Sequence, residues 1–355
     1  MLPFQDLIKG RGAQINTVNV FAQQIPVKEH WEAIDEIDQE LTPTKYIEVF
    51  PKTIVNKVDS PDVGMEYSMN PYQGCEHGCV YCYARNSHQY WGYNAGLEFE
   101  QVVLVKKNAP QLLEKLFQKP NWEVKPIMMS GNTDCYQPVE RKMEITRKCL
   151  EVFEKYKHPV GIITKNSLVQ RDIDILQSLN KHSLTSVCMS INTLNEELRM
   201  KLEPRTATIK KRIETVELLA KNGIPVYVLM APIIPGLNNH EVMQLAKTVS
   251  EAGAKGFGHI VVRLNGSIAE IFANWIETAF PEKAKKVLNQ VAALHGGKLN
   301  DSRFSTRMKG DGKLAESIAS MVKLAKNKYF PEPFNQTLNC QAFVRNDTKG
   351  QLTLF

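Results

Sequence analysis

Short apolar runs alternate with amphipathic stretches through most of the chain. The runs occupy residues 126–130, 160–164, 186–191, 226–231 and 258–264. Each is flanked by turn-forming residues and rich in branched side chains, the pattern of parallel strands buried on both faces. Between them, apolar residues recur at helical spacing over residues 139–156, 169–179, 208–222 and 240–251. Asn222-Gly223, with Pro225 beyond it, is a helix stop. Adding a strand just before residue 75 gives about six β/α units. Strict β/α alternation implies a parallel sheet with helices outside. A partial barrel and a doubly wound sheet share this local pattern. Residues 1–60 read as an irregular extension, with a short helix around residues 29–40 and an extended piece near 47–58. Residues 61–265 hold the β/α units. Residues 266–335 form a helical region, with helices over 268–279, 281–294 and 313–326, broken by Pro331-Glu-Pro333; residues 336–355 are a polar tail.

Composition narrows this only a little. A chain of 355 residues, 43% hydrophobic, builds one large domain or two modest ones. No run of eighteen apolar residues predicts a membrane span. The start, Met1-Leu-Pro-Phe-Gln-Asp, lacks a basic segment followed by an apolar one, so no secretory signal is expected and the protein reads as cytoplasmic. Seven cysteines without such a signal suggest a reducing compartment. The net charge of +6 permits nucleic-acid binding without arguing for it.

The chemistry concentrates in Asn70-Pro-Tyr-Gln-Gly-Cys75-Glu-His-Gly-Cys79-Val-Tyr-Cys82-Tyr-Ala-Arg85. Three thiolates spaced C-x3-C-x2-C in one loop can hold three corners of a cubane iron–sulfur cluster and leave the fourth iron open. The alternative is a zinc site of these three cysteines with His77 or His88. The spacing, with Tyr81 and Tyr83 flanking the last cysteine, resembles that of the radical S-adenosylmethionine (radical SAM) enzymes. That resemblance implies a partial (β/α)6 TIM-like barrel of α/β class. It also implies a 4Fe–4S cluster on Cys75, Cys79 and Cys82, with SAM bound to the open iron. An electron from the reduced cluster, supplied by a flavodoxin or ferredoxin type of donor, then yields a 5′-deoxyadenosyl radical.

The turn Gly131-Asn132-Thr133-Asp134 resembles the branch that includes spore photoproduct lyase and the radical SAM proteins called DNA repair photolyases. By position, this resemblance places Thr133, Asp134, Lys165 and Ser190 at SAM, together with Tyr81 and Tyr83. It makes Cys135 a candidate hydrogen-atom donor to the product radical, with Tyr136 as an alternative. Arg263, at the end of the sixth strand, calls for an acid or an anionic ligand and is assigned to the cofactor side. Pro232-Ile-Ile-Pro-Gly-Leu-Asn238 reads as a stiff loop over the mouth whose apolar residues pack on adenine or only turn the chain. The last residues, Gln351-Leu352-Thr353-Leu354-Phe355, resemble the peptide by which bacterial polymerases and repair proteins dock on the β sliding clamp. The expected function is a lyase-like radical SAM enzyme acting on a nucleic acid, in the manner of DNA repair. A radical SAM enzyme modifying RNA or protein, and a clamp-associated iron–sulfur protein without SAM turnover, are the alternatives.

Overall fold

The computed structural model describes residues 8–21, 43–332, 334 and 337–345. The expected helix around residues 29–40 and the tail 351–355 lie outside the described residues. Ten strands are found among them: β1 (Lys45–Val49), β2 (Val55–Lys57), β3 (Tyr67–Met69), β4 (Tyr72–Gln73), β5 (Val102–Lys106), β6 (Ile127–Met129), β7 (Val160–Thr164), β8 (Thr185–Ser190), β9 (Val226–Ile233) and β10 (Gly256–Val261). The main sheet has the order β10-β9-β8-β7-β6-β3-β2. Its strands from β3 to β10 are all parallel, and β2 adds antiparallel to β3. Each parallel strand joins the same side of its predecessor. A doubly wound sheet must reverse part-way, so that alternative is excluded. β10 and β2 are the edges, and the sheet does not close among the described residues.

The strands bury one face completely against the helices, and the intervening residues Met128, Ile163, Cys188, Tyr227 and Leu229 are half-buried, short of the expected burial on both faces. Ile127, Met129, Val160, Ile162, Val187, Met189, Val226 and Val228 are all buried in one core. The helix Ile145–Lys155 contributes Cys149, Leu150 and Phe153 to that core. The helices Ile268–Ala279, Pro281–Ala293 and Gly312–Tyr329 follow β10. Among the described residues no helix is long and apolar enough to cross a membrane.

Several local expectations need correction. The single helix expected over 139–156 is two helices, Glu140–Met143 and Ile145–Lys155, parted by Glu144 at φ 54°. A 3-10 turn, Ser167–Asp172, precedes the helix Ile173–Asn180; Asn166 caps it by accepting a hydrogen bond from the Leu168 N–H at 3.0 Å. β9 runs on through Pro232 to Ile233, so the expected loop starts later. Its residues Ile233, Ile234 and Leu237 are packed within the protein, not presented to a ligand. β10 stops at Val261, two residues short of Arg263. The extended piece expected near 47–58 is β1 and β2, and the pairing of β1 with β5 and β4 in a second small sheet was not anticipated.

The segment 337–345 is anchored at one end of the sheet. The Asn339 N–H donates to the Ser183 carbonyl at 2.9 Å, and the Val344 N–H to the Tyr156 carbonyl at 3.0 Å. Phe343 packs edge-on against Phe117 and His158. Tyr156 and Ser183 precede β7 and β8, whereas the three cysteines follow β3. The anchored segment and the cysteine loop therefore sit at opposite ends of the strands.

Candidate functional site

The cysteine loop is built by backbone contacts that only its glycines allow. Gly74 has φ +80°, and a side chain there would meet the Val102 carbonyl oxygen at 2.3 Å. Cys75 then donates its N–H to the Phe99 carbonyl at 2.8 Å. Arg85 is fully buried beneath the loop. Its Nε donates to the Cys79 carbonyl at 2.9 Å and its Nη1 to the Gly96 carbonyl at 2.9 Å. Its Nη2 meets Glu100 Oε1 at 2.5 Å. The Glu100 carboxylate also accepts from the Gly12 N–H at 3.0 Å and the Ala13 N–H at 2.8 Å. Residues near the N-terminus thereby strap the cysteine loop. A side chain at Gly12 would meet the Gly78 carbonyl oxygen at 1.6 Å.

All seven cysteines are free. Burial, then Glu203, raises the Cys79 thiol well above its ordinary pKa. Burial, then Cys75, raises Cys82. Lys165 acts on Cys79 and Cys82 in the opposite sense. The three sulfurs thus lie within electrostatic reach of one another, and Cys79 and Cys82 within reach of one ammonium. Among the described residues, no three His, Cys, Asp or Glu side chains are arranged to hold a single metal ion. A multi-iron cluster places its own atoms between thiolates spaced along one loop, so the three cysteines fit a cluster. His77 is engaged by the protein. His77 Nδ1 faces Asp134 Oδ2 at 3.4 Å and its Nε2 faces Asn166 Nδ2 at 3.2 Å. His88 is held between Tyr93 and Phe99, where burial lowers it to about 4.

The turn after β6 is more tightly tied than the sequence suggested. Burial opposes ionisation of Asp134, but His77 and the backbone N–H groups of Lys165 and Tyr136 bring it to about 2. Its Oδ1 accepts from Thr164 Oγ1 at 2.8 Å, and its Oδ2 from the Lys165 N–H at 2.8 Å. Thr133 Oγ1 donates to the Tyr72 carbonyl at 2.6 Å. Both side chains, expected at SAM, are engaged by the protein and fix the turn against β7 and β4. Cys135 is packed in the main core, with its N–H on Ser130 Oγ at 2.7 Å and its carbonyl on Thr146 Oγ1 at 2.6 Å. Tyr136 is buried with its hydroxyl on Asp172 Oδ2 at 3.0 Å. A hydrogen-atom donor must meet its substrate, so this burial does not support that role for either residue.

The mouth itself is lined from several strand ends. Burial disfavours the Lys165 charge, but Glu203, then Cys79, hold its pKa above the usual lysine value. Its ammonium has no hydrogen-bond or ion-pair partner among the described residues. Ser190 ends β8 and its carbonyl accepts from Arg212 Nη1 at 3.0 Å. Two residues on, Asn192 is buried, and neither atom of its amide has a partner. Buried amides are rarely left so, which marks the position as one that awaits a ligand or water. Glu203 is fully buried; it accepts from the Tyr81 hydroxyl and pairs with Arg212 Nη2 at 2.6 Å. The Tyr83 hydroxyl donates to the Gly131 carbonyl. Tyr81 and Tyr83 therefore brace the cysteine loop against neighbouring elements. Arg263 has no ion-pair partner among the described residues; burial, then Arg307, lowers its pKa. Sequence reasoning missed Asn192, Glu203, Arg212, Arg85 and Glu100. An Asn after an apolar strand was a visible signal for the first. The others are meaningful only once distant segments meet.

Comparison with known proteins agrees with this geometry. The model of a family described as the Radical SAM superfamily matches residues 69–249. An uncharacterized protein of Mycobacterium tuberculosis is 30% identical over 238 residues, 66% of this chain and 70% of its own length. One from Methanocaldococcus jannaschii is 30% identical over 246 residues, 69% of this chain and 88% of its own. Among solved structures, spore photoproduct lyase complexed with dinucleoside spore photoproduct shares the fold, with a TM-score of 0.59 and 17% identity. That match covers 81% of this chain and 80% of the lyase.

Proposed function

From the premise that the chain belongs to the radical SAM superfamily, we propose that it is an enzyme whose radical chemistry acts on a nucleic acid, in the manner of a repair lyase. Enzymes of this family use a 4Fe–4S cluster and SAM. The residues fit both. Cys75, Cys79 and Cys82 would hold three irons, and Ala84 and Phe99 pack with Cys75 and Cys82 in an apolar patch that keeps water from the sulfurs. When bound, the cluster supplies the electron that splits SAM into methionine and a 5′-deoxyadenosyl radical. Lys165 offers fixed positive charge for the carboxylate of SAM. Asn192 offers an amide with both hydrogen-bonding atoms unspent, and Ser190 stands two residues before it. Asp134, Thr133, Tyr81 and Tyr83 act by holding the loops in place. Glu203 and Arg212 form a buried pair beside Cys79.

The observation that carries the catalytic reading is the partnerless Lys165 ammonium within electrostatic reach of buried thiols. The substrate class rests on the positive charge of Arg263, which has no ion-pair partner among the described residues, and on fold likeness to a lyase seen with a dinucleoside. The proposal includes a flavodoxin or ferredoxin type of electron donor and a cytoplasmic setting, consistent with seven unpaired cysteines. It also includes docking of Gln351, Leu352, Thr353, Leu354 and Phe355 on the sliding clamp.

The test is anaerobic formation of 5′-deoxyadenosine by reconstituted protein, with irradiated DNA, RNA or peptide added in turn. Stimulation by irradiated DNA alone is the expected result. Stimulation by RNA or peptide alone would move the substrate to that class. A bound cluster with no SAM cleavage under any condition would leave a redox or scaffolding protein.

A further inference from the structure

The loop after the helix Pro281–Ala293 carries Arg303-Phe304-Ser305-Thr306-Arg307 beside the end of β10. It is pinned there. The Val261 N–H donates to the Met308 carbonyl at 3.0 Å, and the Ser305 N–H to Asp62 Oδ1 at 2.6 Å. Ser305 has φ +69°, an unfavourable backbone for a residue with a side chain. Arg307 pairs with the other oxygen of Asp62 and lies over the Phe304 ring at 4.5 Å. Despite these restraints Phe304 is 53% exposed. A large aromatic held outward on a fixed loop, with a guanidinium on one face, is a stacking platform.

Arg263 links this platform to the mouth. It is half-buried two residues past β10, and Asp62, the acid within its reach, is already spent on Arg307. Its other electrostatic neighbours are Arg307 and Tyr83. Asn86, just past the cysteine loop, donates its Nδ2 to the Asn265 carbonyl at 2.8 Å, which sets the segment carrying Arg263 against that loop. A strip therefore runs from the cysteine loop through Arg263 and Arg307 to Phe304. Val261, two residues before Arg263, is pinned to Met308 at 3.0 Å, which sets Arg263 beside the platform. A half-buried guanidinium without an acid calls for an anion.

We infer that this strip binds a single-stranded nucleic-acid segment, with Arg263 on a backbone phosphate and Phe304 stacked on a base beside the reacting nucleotide. The inference rests on the nucleic-acid reading above. A single strand is preferred to a duplex because a stacking face needs an unpaired base, and chemistry in a deep mouth needs the target out of its helix.

The test is fluorescence anisotropy of a fluorescein-labelled single-stranded oligodeoxynucleotide against the full cluster-loaded chain, over a series of salt concentrations. Phe304→Ala should weaken binding between about 5-fold and 100-fold with the salt slope unchanged. Arg263→Gln should weaken it and reduce the slope by about 0.7, one phosphate contact on a single strand. Arg263→Lys keeps the charge and should restore the slope. Iron content and melting temperature report whether each variant is folded. If wild-type protein binds the strand and both Phe304→Ala and Arg263→Gln bind it equally well, the strip is wrong and the nucleic-acid reading stands. If wild-type protein binds neither single strands nor duplexes, both fail.

Discussion

Lys165 and Asp134 are neighbours in space with opposite circumstances. Asp134 is saturated by His77, Thr164 and two backbone N–H groups, so its charge is spent on structure. Lys165 is held charged and partnerless. Both were legible in the sequence as polar residues at strand ends, but only the structure separates the brace from the group left over. Lys165→Ala should leave iron content intact and weaken SAM binding roughly 10-fold to 100-fold, the loss of one hydrogen bond to a charged group. Equilibrium titration of SAM would show this, and an unchanged affinity would remove Lys165 from the site. The cysteines were readable because their spacing is local. Glu203 and Arg212 were not, because their meaning lies in a pairing with Tyr81 across the fold. The burial of Cys135 was not legible, because its position in the turn says nothing of which way the turn faces.

Among the elements, the strands of the main sheet and most of its helices were legible from periodicity, and the breaks within helices were not. Glu144 in the left-handed region and the 3-10 turn before Ile173 leave no trace in an apolar count. The sheet β1-β5-β4 was missed although Val102-Val-Leu-Val is a plain strand run, because its partner β1 is exposed and far away in sequence. The strap over the cysteine loop depends on one glycine. Gly12→Ala drives a methyl group into the Gly78 carbonyl, and a backbone obstacle does not move aside. The Glu100 carboxylate would lose up to two N–H donors, about 1.5–3 kcal/mol each. The melting temperature should fall by several degrees and the cluster absorbance should bleach faster in air. A variant as stable and as slow to bleach as wild type would show that the strap does not protect the loop.

For the whole molecule, the sequential strand order places chemistry at one end of the sheet and the 337–345 anchor at the other. Removing residues 346–355 should leave the melting temperature and SAM cleavage unchanged and abolish capture by immobilised sliding clamp. A peptide of the last ten residues should bind the clamp with roughly micromolar affinity. A deletion that lowers the melting temperature would place the tail in the fold. The same long-range construction bears on how the protein is made. The ribosome releases Cys75, Cys79 and Cys82 well before Glu203 and Arg212, which frame them, and Gly12 must wait for Glu100. Iron and sulfide offered to a nascent chain shorter than that meet three thiols without a cradle, open to oxygen and to one another. Cluster assembly should therefore follow synthesis of residue 212, and nascent chains halted before that point should carry no iron when isolated anaerobically.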